Sequence, residues 1–536
     1  MKLLALIASV LVVAGCQSGK PGSAGSPANE FHFNNGAEPE GLDPHKTSSH
    51  DAAQLNINMF EGLVGREADF FTIRPGLAES WTVSKDGLTY TFKLRPGIKW
   101  SNGDSITAEQ FRQSYIRVLD PKVASPYVNW HTDFIVGADE IAKNFDKPEA
   151  RAAAEKNYGV TTPDASTVVI KLKKPVPYFL SLLTQPTFVP IHSSMFDSNS
   201  PAWRNPEQFV TSGAYKLGEW KVNERVVLVK NPNYRNVANV KIEKVVSYPI
   251  SEENTTLNMY RSGQLDWTGE NHISSTLVPS LKSREDFKFT ETFGTYMYVF
   301  NTKRPPLDNP KVRRALALAL NTPEITDKVV RSGVTPAYSL VPKGVPTYQS
   351  TAALPNEMTE RLAEAKKLLA EAGFPDGKGF PKLTVLYNTT EGHHKIAQAV
   401  QQMWKQNLGL DIQLQNQEWK VFLKEQQSGN FDISRWGWIG DYPDPNTFLE
   451  TFVTGNENNQ GKFSNAQYDA LVKASISEKD QSKRMKMLAD AEAILIKETP
   501  MAPIYHYVYF SLMSPRVEGF KPNMFGHYYF EYLSKK

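Results

Sequence analysis

The amino-acid sequence predicts an α/β protein built from several domains. Hydrophobic residues make up 40% and charged residues 22% of the 536 positions, which is ordinary for a globular chain. At about 150 residues per domain, that length corresponds to three or four domains. The second half of the chain alternates helical and strand patterns, and this βαβα order is typical of an open α/β sheet, where ligands bind at the carboxyl ends of the strands.

The first 34 residues are predicted to be an export signal followed by a lipid anchor and a tether. Residues 1–15 combine a basic start with an apolar stretch that is too short to span a bilayer. This stretch leads into Cys16 through Val-Ala-Gly, which resembles the bacterial lipobox, where a peptidase cuts before a cysteine that is then acylated. Residues 16–34 hold that cysteine and a tether rich in Gly, Ser and Pro. The alternative is a plain signal peptide with a chance cysteine.

The folded part begins with β patterns and continues with alternating elements. Residues 88–94, 166–172 and 226–229 are predicted strands, the first because its apolar residues recur with period two. A helix over 357–372 is predicted because its apolar residues share one face and Gly373 follows it. The remaining predictions are strands at 383–387, 410–414, 431–438 and 504–510, and helices at 394–407, 420–427 and 481–497.

Several classes of function find no support in the sequence. The formal net charge is only +3 without blocks of like charge, so no nucleic-acid partner is expected. A single cysteine excludes internal disulfides and cysteine-ligated metal clusters. The HExxH, GxSxG and GxGxxG motifs are missing, so we expect neither an enzyme nor a cofactor. The pair His393-His394 could be exposed, face a ligand or bind a metal, although no carboxylate–histidine spacing supports a metal.

Ordered motifs along the chain resemble the family 5 solute-binding proteins, which are the oligopeptide, dipeptide and nickel receptors of ABC importers. The signature region corresponds to residues 76–81, 93–103 and 107–111. Further segments are similar to the oligopeptide-binding branch, and these are residues 42–46, 60–63, 124–127, 222–225, 416–420 and 435–442. The resemblance covers about residues 35–533, essentially the whole mature chain.

The resemblance implies a two-lobed periplasmic-binding-protein fold of the type II-like, cluster C kind, with an extra domain beside the first lobe. In this reading lobe I comprises residues 35–60, 188–293 and 509–536. The extra domain is 61–187, and lobe II is 294–508. The ligand is enclosed between the two lobes, which are joined by a hinge.

A peptide offers an ammonium, a backbone and a carboxylate whatever its sequence, and the resemblance assigns residues to each. Asp441 aligns with the family's partner for the ammonium, which needs a carboxylate because an unpaired buried charge costs several kcal/mol. Alternatively, Asp441 has no ligand and only favours a turn, because aspartate is common in turns and Tyr442-Pro443 follows it. The extended peptide binds as an added strand, through hydrogen bonds between its backbone and the main chain of the protein. That role falls to the segment 436–439, which includes Gly437, Trp438 and Ile439, and to the segment 49–51, which includes His50.

The carboxylate end is where this chain departs from the family. His393 and Arg435 match basic positions, whereas two further basic positions fall on Gln426 and on Val330, with Arg331 adjacent. The family's acidic residue near the ammonium aligns with Ser48. If Arg435 and Asp441 lie on one strand, they share a face and are at most about 20 Å apart at about 3.3 Å per residue.

Three aromatic residues match positions that line the family's pocket. They are Tyr127, Tyr298 and Trp438, and core packing is the alternative for each. We therefore expect a monomeric, lipid-anchored receptor in the bacterial envelope, in the periplasm or on the outer face of the membrane. It captures short peptides for the membrane subunits of an ABC permease. The alternatives are a murein-peptide receptor, a nickel or haem receptor, and a surface lipoprotein acting in adhesion or signalling.

Overall fold

The computed structural model describes residues 26–456 and 458–536, without the side chains of Glu391, Trp419 and Lys420. The predicted signal and Cys16 lie outside the described residues. Up to residue 187 the helices and strands are β1 Glu30–Asn34, α1 His50–Met59, β2 Val64–Arg66, β3 Ile73–Pro75, β4 Ala78–Val83, β5 Thr89–Leu94, α2 Ala108–Val118, α3 Val128–Thr132, α4 Ala138–Lys143, α5 Pro148–Glu155, β6 Val160–Asp164, β7 Thr167–Lys171 and α6 Phe179–Leu182.

The second half of the chain carries the longer elements. From residue 188 to 320 they are β8 Tyr215–Lys221, β9 Arg225–Lys230, β10 Lys244–Tyr248, α7 Glu253–Arg261, α8 Val278–Leu281, β11 Phe287–Phe300 and α9 Pro310–Leu318. The rest are α10 Thr322–Glu324, β12 Thr335–Pro336, α11 Met358–Glu371, β13 Thr384–Asn388, α12 Glu391–Leu408, β14 Gln413–Gln417, α13 Trp419–Ser428, β15 Ile433–Ile439, α14 Asn446–Leu449, α15 Ala466–Ser477, α16 Gln481–Glu498, β16 Met501–Leu512, β17 Val517–Glu518 and β18 Ser534–Lys535.

Three sheets of four or more strands organise the chain. β1, β10, β9 and β8 form a four-stranded sheet in that order, and β4, β5, β7 and β6 form an antiparallel one. The largest sheet has the order β12-β16-β11-β15-β13-β14, with β13 parallel to both of its neighbours and the other pairs antiparallel. The parallel strands β13, β14 and β15 therefore end at the same edge of this sheet.

Two hydrophobic cores support a two-lobed molecule. One core joins both four-stranded sheets, so lobe I and the extra domain pack as a unit. The other surrounds the six-stranded sheet and its helices, and it also takes in Leu257, Ile273 and Leu281. The chain passes between the cores at Leu512 and Met513. The two cores meet at Tyr442, which follows β15 in the chain but is buried with the residues of the first core.

Most of the elements predicted from the sequence are present within one to three residues of their expected bounds. The strand predicted at 410–414 is displaced, because its ladder with β13 runs over Gln413–Gln417 instead. Leu410 and Ile412 are buried in the connection that follows α12. The alternation of apolar and polar residues here therefore results from the packing of that connection and does not indicate a strand. No helix among residues 26–456 and 458–536 is long and apolar enough to cross a membrane.

Candidate functional site

The candidate site lies at the edge of the six-stranded sheet where β13 and β15 end and α12 begins. Thr390 is the N-cap of α12, and its hydroxyl accepts a hydrogen bond from the His393 amide at 3.0 Å. At the end of β15, Gly440 donates to the Phe293 carbonyl at 2.8 Å. A Cβ on Gly440 would lie 2.4 Å from the Phe293 ring, so only glycine permits this approach. These contacts fix the position of the loop that carries Asp441.

The second half of β15 has a free edge. β15 pairs with β11 over its whole length, but β13 pairs only with Ile433 and Ser434. The Arg435 carbonyl points away from β11, since it accepts a hydrogen bond from Gln426 at 2.9 Å. Main-chain groups alternate along a strand, so those of Gly437 and Ile439 also point to the open side. An extended ligand can add there as a further strand.

Arg435 supplies an unpaired positive charge beside this edge. Its guanidinium donates to the Tyr507 hydroxyl at 3.1 Å and to Asn388 Oδ1 at 3.5 Å, and it lies over the Tyr296 ring at 4.9 Å. Its Nε is buried without a hydrogen-bond partner. Among residues 26–456 and 458–536, no carboxylate forms an ion pair with Arg435. The arrangement can accept an anionic group from a ligand.

His393 lies next to Arg435 but does not add a second charge. Its Nδ1 is 3.3 Å from the Tyr296 hydroxyl. Burial lowers the pKa of His393 to about 3, and the charge of Arg435 contributes to the shift. The imidazole is therefore neutral at ordinary pH, and it can take part in a hydrogen bond to a ligand but does not supply an ionic contact.

The other two positions where the family has basic residues do not join this cluster. Gln426 is buried, and its amide donates to Ser434 Oγ and to the Arg435 carbonyl, both at 2.9 Å. Val330 ends a π-helical turn and is packed partly against the lobe II core, and Arg331 follows it with a φ of 58° and an exposed side chain. Gln426 thus supports β15 and does not bring a charge to the site.

Asp441 lies in the loop after β15 and not on the strand, which ends at Ile439. The expectation that Arg435 and Asp441 share a strand face is therefore wrong; Arg435, Gly437 and Ile439 do. Gly440 still donates a hydrogen bond to the Phe293 carbonyl, and the chain bends over residues 441–444. The Asp441 amide donates to Thr447 Oγ1 at 3.1 Å, and its carbonyl accepts from Gln185 of the extra domain at 3.1 Å.

The carboxylate of Asp441 is unpaired, and Asp441 lies beside a contact between the lobes. Tyr442 stacks on Tyr178 of the extra domain, with ring centroids 4.2 Å apart. The side chain of Asp441 remains open to solvent in the cleft, yet protein surrounds it closely enough that desolvation raises its pKa to about 6. No cation forms an ion pair with Asp441 in the part of the chain that the structure describes. A ligand ammonium would supply the missing charge.

Tyr127, Ser48 and His50 come from the first part of the chain, outside the six-stranded sheet. Tyr127 stacks on Trp130 at 4.4 Å, and burial together with the negative charges of Asp441 and Glu40 raises its pKa. Ser48 is exposed, and its amide donates to Glu40 at 2.8 Å. His50 is the first residue of α1 and stacks on His527 at 4.2 Å. The structure thus brings Tyr127 and Asp441 close together.

Trp438 and Tyr298 are placed differently from the other predicted residues. Trp438 points to the opposite face of β15 from Arg435, where it contacts Trp436 at 5.6 Å and packs partly against the lobe II core. Tyr298 is paired in register with Arg435 but is fully buried, and its hydroxyl has no partner. Tyr298 is thus packed in the interior of this structure, and its contact with a ligand stays a prediction.

The sequence did not indicate three side chains that contact Arg435 in the structure, and these are Tyr296, Asn388 and Tyr507. The strand predicted at 504–510 included Tyr507, but only its register with β11 brings the hydroxyl to Arg435. An ideal Cβ on Gly437 would lie 2.4 Å from that hydroxyl, so glycine is required here as well. No group of three potential metal ligands is found among the described residues, which gives the metal interpretation of His393 and His394 no support there.

Comparison with known proteins gives consistent matches over nearly the whole chain. The model for bacterial extracellular solute-binding proteins, family 5, matches residues 72–460. The periplasmic oligopeptide-binding protein OppA of Salmonella typhimurium is 38% identical over 496 residues, which cover 91% of this chain and 89% of that protein.

Two solved structures have the same fold over 95% of this chain. An unliganded, open form of the murein tripeptide-binding protein MppA has a TM-score of 0.82 at 34% identity, covering 95% of this chain and 98% of that one. Haemophilus influenzae OppA in complex with the peptide RPPGFSPFR has a TM-score of 0.74 at 35% identity, covering 95% and 99%.

Proposed function

Because the chain belongs to the bacterial extracellular solute-binding proteins of family 5, we propose that it is a lipid-anchored receptor that encloses short peptides between its lobes and delivers them to the permease of an ABC importer. The chain is a binding protein and not an enzyme, and its relatives named OppA and MppA are periplasmic. Anchoring through Cys16, delivery to the membrane subunits and a monomeric state complete the proposal.

One observation carries the assignment of peptides as ligands. An unpaired guanidinium, Arg435, and an unpaired carboxylate, Asp441, flank a stretch of β15 whose main-chain groups are free on one side. A free peptide in extended form has a carboxylate, an ammonium and a row of main-chain donors and acceptors in the same order. Each feature of the site therefore matches one that every peptide offers, whatever its side chains.

Identification of the bound molecule tests this proposal. We expect native mass spectrometry of the protein, purified without denaturation, to show a mixture of bound peptides with free ends. Calorimetry with a recovered peptide and its N-acetylated, C-amidated twin should then show binding of the free peptide only. A bound molecule without a peptide backbone, or equal affinity for the two twins, would overturn the proposal.

A receptor for murein peptides is the second candidate. The single guanidinium at the carboxylate end favours it, because Gln426 and Val330 replace charges that a general peptide receptor of this family uses. Competition between murein tripeptide and trialanine distinguishes the candidates, since a murein receptor prefers the former by a wide margin and a general receptor does not.

A further inference from the structure

Glu40 places a carboxylate directly on the main chain of Ser48, the position where the family's acidic residue is missing. Its Oε1 accepts hydrogen bonds from the Ser48 amide at 2.8 Å and from the Ser49 amide at 2.9 Å. Its Oε2 accepts a hydrogen bond from the Ser49 hydroxyl. The carboxylate is thereby held in one place although the side chain of Glu40 is exposed. A negative charge is thus present beside Ser48, supplied from eight positions earlier in the chain.

Glu40 and Asp441 approach the same phenol from different lobes. The charge of each carboxylate contributes to the raised pKa of Tyr127, after the larger effect of its burial. Tyr127 belongs to the extra domain, Glu40 to the segment before α1, and Asp441 to the loop after β15. Tyr127 is therefore under the influence of two carboxylates that come from different parts of the chain.

The charges at this end are not balanced within the protein. Asp51 lies at the start of α1, near Glu40. Its burial and the charge of Glu40 raise its pKa to about 6, although a hydrogen bond from the Ala37 amide acts to lower it. In the ranges 26–456 and 458–536, none of Glu40, Asp51 and Asp441 has an ion pair with a basic side chain. Like charges in a partly desolvated cleft repel one another, and a cation between them removes that cost.

We propose that Glu40 is a specificity-determining residue that binds the ligand ammonium together with Asp441, one carboxylate from each wall of the cleft. The inference rests on the proposed peptide receptor and names a contact that the family's motif does not provide. Closure of the lobes brings the two carboxylates onto opposite sides of one ammonium. A peptide with a free amino terminus therefore favours the closed form more than an acylated one does.

A purely structural role for Glu40 is the competing explanation. Ser49 is the N-cap of α1, where its hydroxyl accepts a hydrogen bond from the Ala52 amide at 3.2 Å, and Glu40 could serve only to hold that cap. Such a role predicts that a loss of Glu40 weakens all ligands alike. A charge contact predicts that it weakens only ligands with an ammonium.

The test compares Glu40→Gln with the wild type by calorimetry on trialanine, tetraalanine and their N-acetylated twins. Glutamine keeps an acceptor for the Ser48 and Ser49 amides and removes the charge. We expect the affinity for free peptides to fall by about tenfold and that for acetylated peptides to stay within about twofold. The double variant Glu40→Gln/Ser48→Glu should recover most of the loss, because it returns a carboxylate to the same place.

Glu38→Gln is the matched control, since that carboxylate accepts hydrogen bonds from Trp220 at 2.8 Å and from the Asn223 amide at 3.0 Å on another part of the surface. It should leave the ratio of free to acetylated affinity unchanged. An equal loss for both peptide forms in Glu40→Gln, or no loss in either, would overturn the role of Glu40 while leaving the receptor in place. Failure of the wild type to bind any of the four peptides would overturn the proposed function and this inference with it.

Discussion

Arg435 and Asp441 each carry a charge that no other described residue balances, and both lie where protein displaces water. Leaving a charge in such a place costs free energy unless a partner arrives. The geometry therefore suits a ligand with both charges, because closing the cleft on a neutral molecule would bury Arg435 and Asp441 without compensation. This is why the two ends of the ligand, and not its side chains, dominate the expected specificity.

The protonation of Asp441 should make peptide affinity depend on pH. Its pKa is raised to about 6, so the carboxyl is increasingly protonated below that pH and can no longer pair with an ammonium. We expect the affinity for a free tripeptide to fall by about tenfold between pH 7 and pH 5, measured by calorimetry. Asp441→Asn should bind weakly at both values, with a loss of about 2–5 kcal/mol at pH 7. A wild-type profile as flat as that of the variant would contradict the role of Asp441.

Recognition of the ligand carboxylate should depend on Arg435 and hardly on pH. His393 is neutral above pH 5 because its pKa is lowered to about 3, whereas the guanidinium stays charged. A double-mutant cycle with Arg435→Ala and a C-amidated peptide should give a coupling of about 2 kcal/mol, constant from pH 5.5 to 8. Coupling near zero would exclude direct pairing, and coupling confined to low pH would assign the role to His393.

At the scale of the secondary structure, Gly437 is the position where β15 tolerates no side chain. In Gly437→Ala the new Cβ would meet the Tyr507 hydroxyl at 2.4 Å, so we expect a loss of stability of about 1–3 kcal/mol in urea unfolding. The matched variant Gly437→Ala/Tyr507→Phe removes the hydroxyl and should recover most of that loss. If the single variant is as stable as the wild type, the close approach of the Tyr507 hydroxyl to Gly437 is wrong.

The sequence predicted the elements that carry strong local patterns. Helices such as α11 and α16, with their apolar faces and their caps, appear within one or two residues of the predicted bounds. The strand at 410–414 was misplaced because buried residues in a connection alternate just as those of a strand do. The motif around Arg435 and Asp441 supplied the residues of the candidate site, whose role stays a prediction. The end of β15 before Asp441 could not be foreseen, since the neighbouring contact of Gly440 is with Phe293 on a distant strand.

Local sequence patterns do not predict the free edge of β15 either. Which residues of β15 lack a partner depends on how far β13 extends beside it, and that is a property of the sheet. The contact of Tyr507 with Arg435 has the same origin, because long-range register sets both, and one sequence read alone carries no record of it. The position of Glu40 on Ser48 depends instead on the path of the short loop between them.

At the scale of the whole molecule, two cores joined by a few crossing segments make a receptor that can open and close. Arg435 lies on the six-stranded sheet and Asp441 in the loop that follows it, while α1, which begins two residues after Ser48, packs in the other core. Each lobe therefore holds part of the site. A peptide contacts both halves only when the lobes approach, and the difference in contacts between the two states drives closure.

Attachment to the membrane should depend on Cys16 alone. Acyl chains on this residue would be the only stable anchor, so Cys16→Ser should move the protein from the membrane pellet to the soluble fraction of fractionated cells. Ser18→Ala, two residues away, is the matched control and should remain in the pellet. A Cys16→Ser protein that still sediments with membranes would show that the lipoprotein hypothesis is wrong.

Enclosure of a free-ended peptide between the lobes is the central claim, and small-angle X-ray scattering measures it directly. The radius of gyration of the protein should fall when a recovered peptide is added at saturating concentration. It should stay at the unliganded value with the N-acetylated, C-amidated twin at the same concentration, because that molecule lacks both charges that Asp441 and Arg435 bind. Binding of the free peptide by calorimetry without any decrease in the radius of gyration, or equal compaction by both molecules, would contradict the account.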